Sequence, residues 1–131
     1  MSSKPNQLPR PTDAELEILT VLWSLGPSTV RDVHETIVRR KPAQYTTVLK
    51  TLQIMAEKGL VERNEKQRAH IYSAARPREW TQQQLASDLL QRAFGGSAAS
   101  LMLGALSAHK ASAEELAELK KYLEDYEKGN L

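Results

Sequence analysis

The sequence predicts a mainly α-helical chain with one small β-hairpin and a helical tail, and three observations support this fold class. Apolar residues recur at the spacing of amphipathic helices in several separate stretches. Residues 60–73 differ, because two short β-prone runs flank a polar turn there. Glycine and proline residues separate the stretches at the points where helices end. The predicted order is three helices, a hairpin and three further helices.

The composition is that of a globular protein. Of the 131 residues, 40% are hydrophobic and 26% are charged, and no apolar run approaches the roughly 18 residues of a membrane-spanning helix. Cysteine is absent, which excludes disulfides, thiolate metal sites and cysteine nucleophiles. Residues 1–11 contain three prolines and no apolar segment, so we expect a flexible leader and not a signal peptide. These features favour a cytoplasmic location.

Charge is distributed unevenly along the chain. Residues 1–79 carry 13 Lys and Arg against 9 Asp and Glu, whereas residues 80–131 carry 5 against 7. The first part therefore has a balance of +4 and the second part a balance of −2. A basic first part suits contact with phosphate, and an acidic second part suits contact with protein.

The first two helices have clear start and stop signals. A capping box at residues 12–15 opens a helix over residues 13–25, which a Gly-Pro pair ends. The second helix is capped by Ser28 or Thr29 and runs to Arg39, before a Lys-Pro pair.

The third helix is amphipathic and is predicted over residues 45–58, closed by a glycine. Val48, Leu52 and Met55 lie within a narrow arc that we expect to be buried. The other side carries the polar residues Thr46, Thr47, Lys50 and Gln53.

A hairpin follows the third helix. Its strands are predicted at residues 60–63 and 69–73, joined by a polar turn over residues 64–68 that carries Lys66 and Arg68. One hairpin alone is marginal in water, so it is expected to pack on the helices.

Two short helices with a tight connection, the second with small polar residues near its start, are typical of a helix-turn-helix motif. Together with the basic hairpin, they predict a winged helix-turn-helix domain over residues 12–76 that binds DNA. Short side chains let the helix backbone approach base edges, and a lysine one turn later reaches a guanine edge or a phosphate. The residues predicted to read bases are Thr46, Thr47 and Lys50. The residues predicted to contact phosphate are Arg39, Arg40, Tyr45, Lys66 and Arg68.

Two other classes of function stay open on this argument. A winged helix can be a protein–protein interaction module that never contacts DNA, and the polar side of helix three would then simply be solvated. Large apolar residues exposed there would favour that alternative, and Ile54 is such a residue, beyond the base-reading turns. An enzyme fits less well, since the sequence has no nucleophile motif or phosphate-binding glycine loop. The histidines, at 34, 70 and 109, are far apart, so we expect no metal site and no cofactor.

Residues 77–131 are predicted to form three helices whose apolar stripes need a partner. Pro77 suits the first turn of helix four, Gly95-Gly96 ends it, Ser97 caps helix five, and a capping box at residues 112–115 opens helix six. A segment this small has too little interior to bury its stripes, so we expect pairing with the same segment of a second chain. The residues predicted to form this dimer interface are Leu85, Leu89, Phe94, Leu101, Met102, Leu106, Leu116, Leu119 and Leu123.

Five runs of residues also carry a resemblance to a known family. They are residues 11–23, 45–52, 57–63, 70–72 and 100–103. As an ordered set they resemble the BlaI/MecI penicillinase-repressor family. The resemblance implies a homodimeric winged-helix repressor of a dyad-symmetric operator that controls β-lactam-resistance or related genes. It also implies release from DNA when a membrane BlaR/MecR-type sensor system triggers cleavage within the tail.

Two departures from the family bear on regulation. In the staphylococcal members the cut falls between an Asn and a Phe, and the matching positions here are Gly104 and Ala105, which mark the candidate cleavage region. The related copper-responsive CopY repressors carry a cysteine-pair motif near the C-terminus. Because this chain has no cysteine, thiolate copper sensing is excluded.

Overall fold

The structure, a computed structural model, describes residues 10–130, so residues 1–9 of the expected leader lie outside the described residues. The described residues form six helices and three short strands. In chain order these are α1 (Asp13–Leu25), β1 (Ser28–Thr29), α2 (Val30–Val38), α3 (Tyr45–Lys58), β2 (Val61–Asn64), β3 (Ile71–Ala74), α4 (Arg78–Ala93), α5 (Ala98–Ala108) and α6 (Ala113–Glu127).

Local capping accounts for the helix starts. At α1 the Thr12 hydroxyl accepts from the Glu15 amide, and the Glu15 carboxylate accepts from the Thr12 amide at 2.9 Å, which confirms the predicted capping box. Thr29, and not Ser28, caps α2 through a reciprocal pair of bonds with Asp32. At α6 the Ser112 hydroxyl accepts from the Glu115 amide, which is one half of the capping box predicted there.

The three strands form one antiparallel sheet in the order β1-β3-β2. The sequence predicts only a two-stranded hairpin, and β1 is the addition: Ser28 pairs with Tyr72 and Thr29 with Ile71. The predicted first strand also begins one residue too early. The Leu60 amide donates to the Met55 carbonyl at 2.9 Å and closes the end of α3 around the left-handed Gly59, so pairing begins at Val61.

The apolar core lies within residues 18–72 and is built from α1, α2, α3 and the sheet. Leu52, Met55 and Val33 at its centre are fully buried. Leu25, the last residue of α1, is 51% exposed and lies outside this core. The buried residues of the core are Ile18, Leu19, Val21, Leu22, Val30, Val33, Ile37, Val48, Leu52, Met55, Leu60, Val61 and Tyr72.

The described residues divide into two compact units, residues 10–85 and residues 86–130, with the division inside α4. No residue from 86 to 130 is buried. The domain boundary predicted between residues 76 and 77 stays a prediction. Within residues 10–130, no helix is both long enough and apolar enough to cross a bilayer.

Candidate nucleic-acid interface

The turn between α2 and α3 is held by a histidine. His34 Nε2 donates to the Ala43 carbonyl, with 2.8 Å between the two atoms. The His34 ring also meets the Tyr45 ring edge to face, with 5.6 Å between ring centroids. These contacts join α2 to the connecting segment and to Tyr45, the first residue of α3.

The buried and exposed sides of α3 are cleanly separated. Val48, Leu52 and Met55 are buried, and they anchor the helix on the core. Successive residues are rotated by about 100° around the helix axis. Residues that are first four and then three positions apart therefore line up on the side opposite the buried residues. A row of exposed polar side chains follows this line: Thr46, Lys50 and Gln53.

Thr47 is also exposed, but it lies to one side of that row. It follows Thr46 directly, so it is rotated from Thr46 by about 100°, whereas Lys50 and Gln53 lie within about 40° of Thr46. The Thr47 carbonyl accepts a hydrogen bond from the Thr51 hydroxyl at 2.8 Å, which occupies the Thr51 side chain within the helix.

The first turn of α3 has free backbone donors. Gln44 is the residue before the helix, and its side chain makes no capping hydrogen bond. The amides at the helix start therefore have no side-chain acceptor from the cap, and the helix dipole adds a partial positive charge there. Such a terminus favours an anion, and DNA presents a phosphate.

The wing is the turn between β2 and β3, and its geometry is locally fixed. The Asn64 carboxamide oxygen accepts from the Lys66 amide at 2.9 Å. Arg63 is paired with Glu65 at 2.7 Å, and the Tyr72 hydroxyl and the Glu65 carboxylate raise the pKa of Arg63. Arg63 is thus engaged within the wing.

The two cations predicted at the wing tip are available for a partner. Lys66 and Arg68 are both exposed, and within residues 10–130 neither forms an ion pair. Their positive charges are therefore uncompensated by the described part of the chain.

A groove of about 440 Å³ lies between α3 and the wing. Tyr45 and Gln53 line it from α3, and Arg68 and His70 line it from the wing. Arg31 lines it from the start of α2 and is paired with Glu35 at 3.2 Å. The groove therefore combines cationic and hydrogen-bonding side chains next to the exposed row of α3.

The structure does not bring all of the predicted phosphate ligands to this groove. Arg40 pairs with Glu17 at 3.3 Å, and Lys41 pairs with the other oxygen of Glu17 at 3.0 Å. Arg39 lines a different groove, formed with the end of α1 and the side of α2. Tyr45 and Arg68 are the predicted phosphate ligands that share the groove beside α3.

Three residues of this surface were absent from the predicted site: Gln53, Arg31 and His70. The spacing of Gln53, seven residues after Thr46, is a signal that the sequence does contain. Arg31 and His70 reach the groove only through the packing of α2 and the wing, and no local pattern indicates that.

The residues predicted for the dimer interface are mostly accessible. Leu89, Met102, Leu106, Leu116 and Leu123 are exposed. Leu85, Phe94, Leu101 and Leu119 are half-buried. Three further large apolar side chains on α5 and α6 are exposed as well, and the prediction omitted them: Leu103, Tyr122 and Tyr126.

The candidate cleavage region lies in the second half of α5. Gly104 is half-buried and Ala105 is exposed. A Cβ atom at Gly104 would lie 3.1 Å from Phe94 Cε1, so the glycine allows the Phe94 ring to approach α5 closely.

The sequence of this chain is similar to that of known proteins. The family model for the penicillinase repressor matches residues 11–125. The transcriptional regulator BlaI of Mycobacterium tuberculosis is 33% identical over 126 residues, which cover 95% of this chain and 90% of that protein. The penicillinase repressor of Bacillus licheniformis is 23% identical over 120 residues, or 92% of this chain and 94% of that protein.

A solved structure is also similar in part. It is the solution structure of Bacillus licheniformis BlaI, in its monomeric form in complex with the blaP half-operator. The match has a TM-score of 0.49 and 20% identity, and it covers 56% of this chain and 89% of that one.

The extent of the family match and the similarity to the Mycobacterium tuberculosis regulator agree with the resemblance that the sequence suggested. This chain therefore belongs to the penicillinase repressor family, whose members are DNA-binding transcriptional repressors and not enzymes.

Proposed function

We propose that this chain represses transcription as a homodimer that binds a dyad-symmetric operator and blocks a promoter. The observation that carries this proposal is the exposed polar row of α3 next to a wing whose tip has uncompensated cations. A polar helix of this kind fits the major groove, which is about 12 Å wide, and the wing then meets the neighbouring backbone.

The residues of this surface have different roles in the proposal. Thr46, Thr47 and Lys50 read base edges, because they lie in the first two turns of α3 and are exposed. Phosphate contacts position the protein without specifying sequence. The residues assigned to phosphate are Arg39, Arg40, Tyr45, Lys66 and Arg68. Arg40 must first leave Glu17, so its contribution is the smallest of the five.

Dimerisation is assigned to the helical region, residues 77–131, and DNA binding to residues 12–76. The support is the contrast in burial: no residue from 86 to 130 is buried, although α5 and α6 carry many leucines. An apolar helix that lacks a buried face requires a partner surface, and a second copy of the same segment provides one.

Family membership also suggests the regulatory route. We propose that the chain acts in the cytoplasm, controls a β-lactam-resistance or related gene, and is inactivated by cleavage near Gly104 and Ala105 in response to a membrane sensor protease system. A helix-interior glycine lowers helix stability by about 0.5–1 kcal/mol, which favours the local opening that a protease needs. A cut there separates α6 and part of α5 from the DNA-binding domain.

The alternative of a protein–protein interaction module has less support. Such a module would expose large apolar side chains along α3. Tyr45 and Ile54 are exposed there, at 45% and 38%, but the central row of the exposed side is polar. Membership of a family of DNA-binding repressors also disfavours it.

Binding of the chain to a fragment of its own promoter, measured across a salt series, tests the proposal. Affinity should fall steeply as salt rises, because each half-site contact with phosphate releases counterions. Lys50→Ala should relax sequence preference at a cost of roughly 1–3 kcal/mol, whereas Lys66→Ala should weaken binding to all sequences about equally. Absence of binding at low salt contradicts the repressor function, and a larger specificity change for Lys66→Ala contradicts the assigned roles.

A further inference from the structure

Gln53 occupies the outward row of α3 and has no assigned role in the proposed repressor. It is exposed, and it lines the 440 Å³ groove between α3 and the wing. It also lines a second groove, next to Glu57 and Arg63. Of the three residues in the row, Gln53 is the one that lines the groove beside the wing.

The side chain of Gln53 is free to meet a ligand. Within residues 10–130 its carboxamide makes no hydrogen bond. Other polar side chains near this surface are engaged: Arg63 with Glu65, and Thr51 with the Thr47 carbonyl. The exposed amide of Gln53 retains its donor and its acceptor for another molecule.

The spacing of the row suits several successive base pairs. Thr46 and Gln53 are seven residues apart, which corresponds to about 10.5 Å along the helix axis at a rise of about 1.5 Å per residue. Adjacent base pairs are about 3.4 Å apart, so the row is about three base-pair steps long. Glu57 is the next residue on this line, and its negative charge is unfavourable near DNA, so the reading surface ends at Gln53.

The chemistry of a carboxamide selects one base. A glutamine side chain can donate to N7 and accept from the N6 amino group of adenine at the same time, which no other base edge in the major groove allows. We propose that Gln53 is a specificity-determining residue that reads an adenine in each half-site, about three base pairs from the base that Thr46 contacts. This inference rests on the proposed operator binding and names a further contact of the same surface.

Selection of DNA sequences from a random duplex library by the full-length chain tests the inference. Three variants are compared with the unaltered protein: Gln53→Ala, Gln53→Glu and, as a matched control, Gln83→Ala, which removes another exposed glutamine from α4. Gln53→Ala should lower the preference for adenine at one position by roughly 5- to 100-fold, the discrimination of one bidentate side chain. Gln53→Glu can only accept, so it should shift the preference at that position toward cytosine. Gln83→Ala should leave every position unchanged.

The possible results separate the inference from the proposed function. If the unaltered chain enriches no sequence, both the repressor function and the role of Gln53 are wrong. If the unaltered chain enriches a motif and both Gln53 variants enrich the same motif, the function stands and the inference is overturned. An equal loss of affinity for all sequences would make Gln53 a phosphate or structural contact, which also overturns the inference. Enrichment of another base at the responsive position overturns the adenine assignment.

Discussion

The two units of the molecule differ in how far their leucine side chains are buried. In residues 10–85, Leu19, Leu22 and Leu52 are buried in a core shared by three helices and a sheet. In residues 86–130, leucines are just as regular on α5 and α6, yet none is buried. The first unit therefore has an apolar core made from its own contacts, whereas the second unit has apolar side chains that its own described residues leave exposed.

This separation has a functional consequence. The surface of α3 that is proposed to read DNA lies on a core formed by residues 18–72 of a single chain. If the tail supplies dimerisation, operator affinity is controlled by whether two complete reading surfaces are joined. Regulation can then act on the tail and leave the DNA-binding surface unaltered.

The largest expected effect comes from deletion of residues 97–131. The truncated chain should be monomeric and folded, and its affinity for a two-site operator should fall by about 10²- to 10⁴-fold, because the second half-site contact is no longer intramolecular. Sedimentation and binding measurements check the two expectations. A truncated chain that remains dimeric would place the interface in the first unit.

A matched pair of leucine substitutions comes next. Leu52→Ala removes a fully buried side chain and should lower the free energy of unfolding by about 2–5 kcal/mol at any protein concentration. Leu123→Ala alters a 44% exposed position, so its effect should appear only at concentrations where the chain is dimeric. Urea unfolding at two protein concentrations separates these behaviours. A concentration-independent loss for Leu123→Ala would mean that α6 is stabilised within its own chain.

The buried carboxylate of α1 has a smaller effect that depends on pH. Glu15 accepts from Lys58 Nζ at 2.8 Å and from the Thr12 amide, and it is almost fully buried. Burial raises the pKa of Glu15, but the hydrogen bonds from Lys58 and Thr12 outweigh burial and hold the pKa below its ordinary value of 4.5. Glu15 therefore stabilises the fold above that value, and this contribution is lost as the pH falls through the lower pKa of the folded state.

Glu15→Gln should lower the free energy of unfolding by about 1–3 kcal/mol near neutral pH, because a charged hydrogen bond in a buried setting is lost. The cost should shrink as the pH falls through the lowered pKa of the folded state, where the native carboxylate becomes protonated. Glu17→Gln is the matched control, since its partners Arg40 and Lys41 are exposed and such pairs contribute about 0–1 kcal/mol. Thermal unfolding of the unaltered chain and of both variants, measured from pH 3 to pH 7, gives the stability of each protein. Equal losses of stability for Glu15→Gln and Glu17→Gln contradict the special role of Glu15.

These contacts also indicate how far the sequence could predict the molecule. The start of α1 and the end of α3 agree with the prediction because their signals are local: Thr12 caps the start of α1, and Gly59 closes the end of α3. The two residues of β1 have no periodicity of their own, and they are a strand only because β3 pairs with them. The pair of Glu15 and Lys58 joins residues 43 positions apart, so no local pattern contains it.

The same limit applies to the candidate nucleic-acid interface: its local pattern could be predicted, whereas its long-range contacts could not. Thr46 and Lys50 were placed correctly on the exposed side of α3 by helical periodicity alone. The pairing of Arg40 with Glu17 could not be predicted, because it depends on how α1 packs against the end of α2. Whether any of these residues contacts DNA stays a prediction.

The smallest expected effect is at Gly104, and its sign depends on the partner. Alanine is more stable than glycine inside a helix by about 0.5–1 kcal/mol, whereas the new Cβ would lie 3.1 Å from Phe94 Cε1 and require the ring to shift by a few tenths of an ångström. Phe94 is half-buried and none of residues 86–130 is buried, so the ring can shift in a monomer. Gly104→Ala should therefore stabilise α5 by up to about 0.5–1 kcal/mol in dilute solution, as measured by the thermal loss of helical circular dichroism.

In the dimer the same substitution should act in the opposite direction. If a second chain covers Phe94, the ring is held from both sides and cannot shift, so the dissociation constant of the dimer should rise by roughly two- to fivefold. Ala105→Gly is the matched control, because it removes the helix preference at an exposed neighbour and should lower the stability of α5 at every concentration. If Gly104→Ala stabilised the dilute and the concentrated protein equally, Phe94 would lie outside the dimer interface. The partner would then cover the exposed side of α5 that carries Leu103.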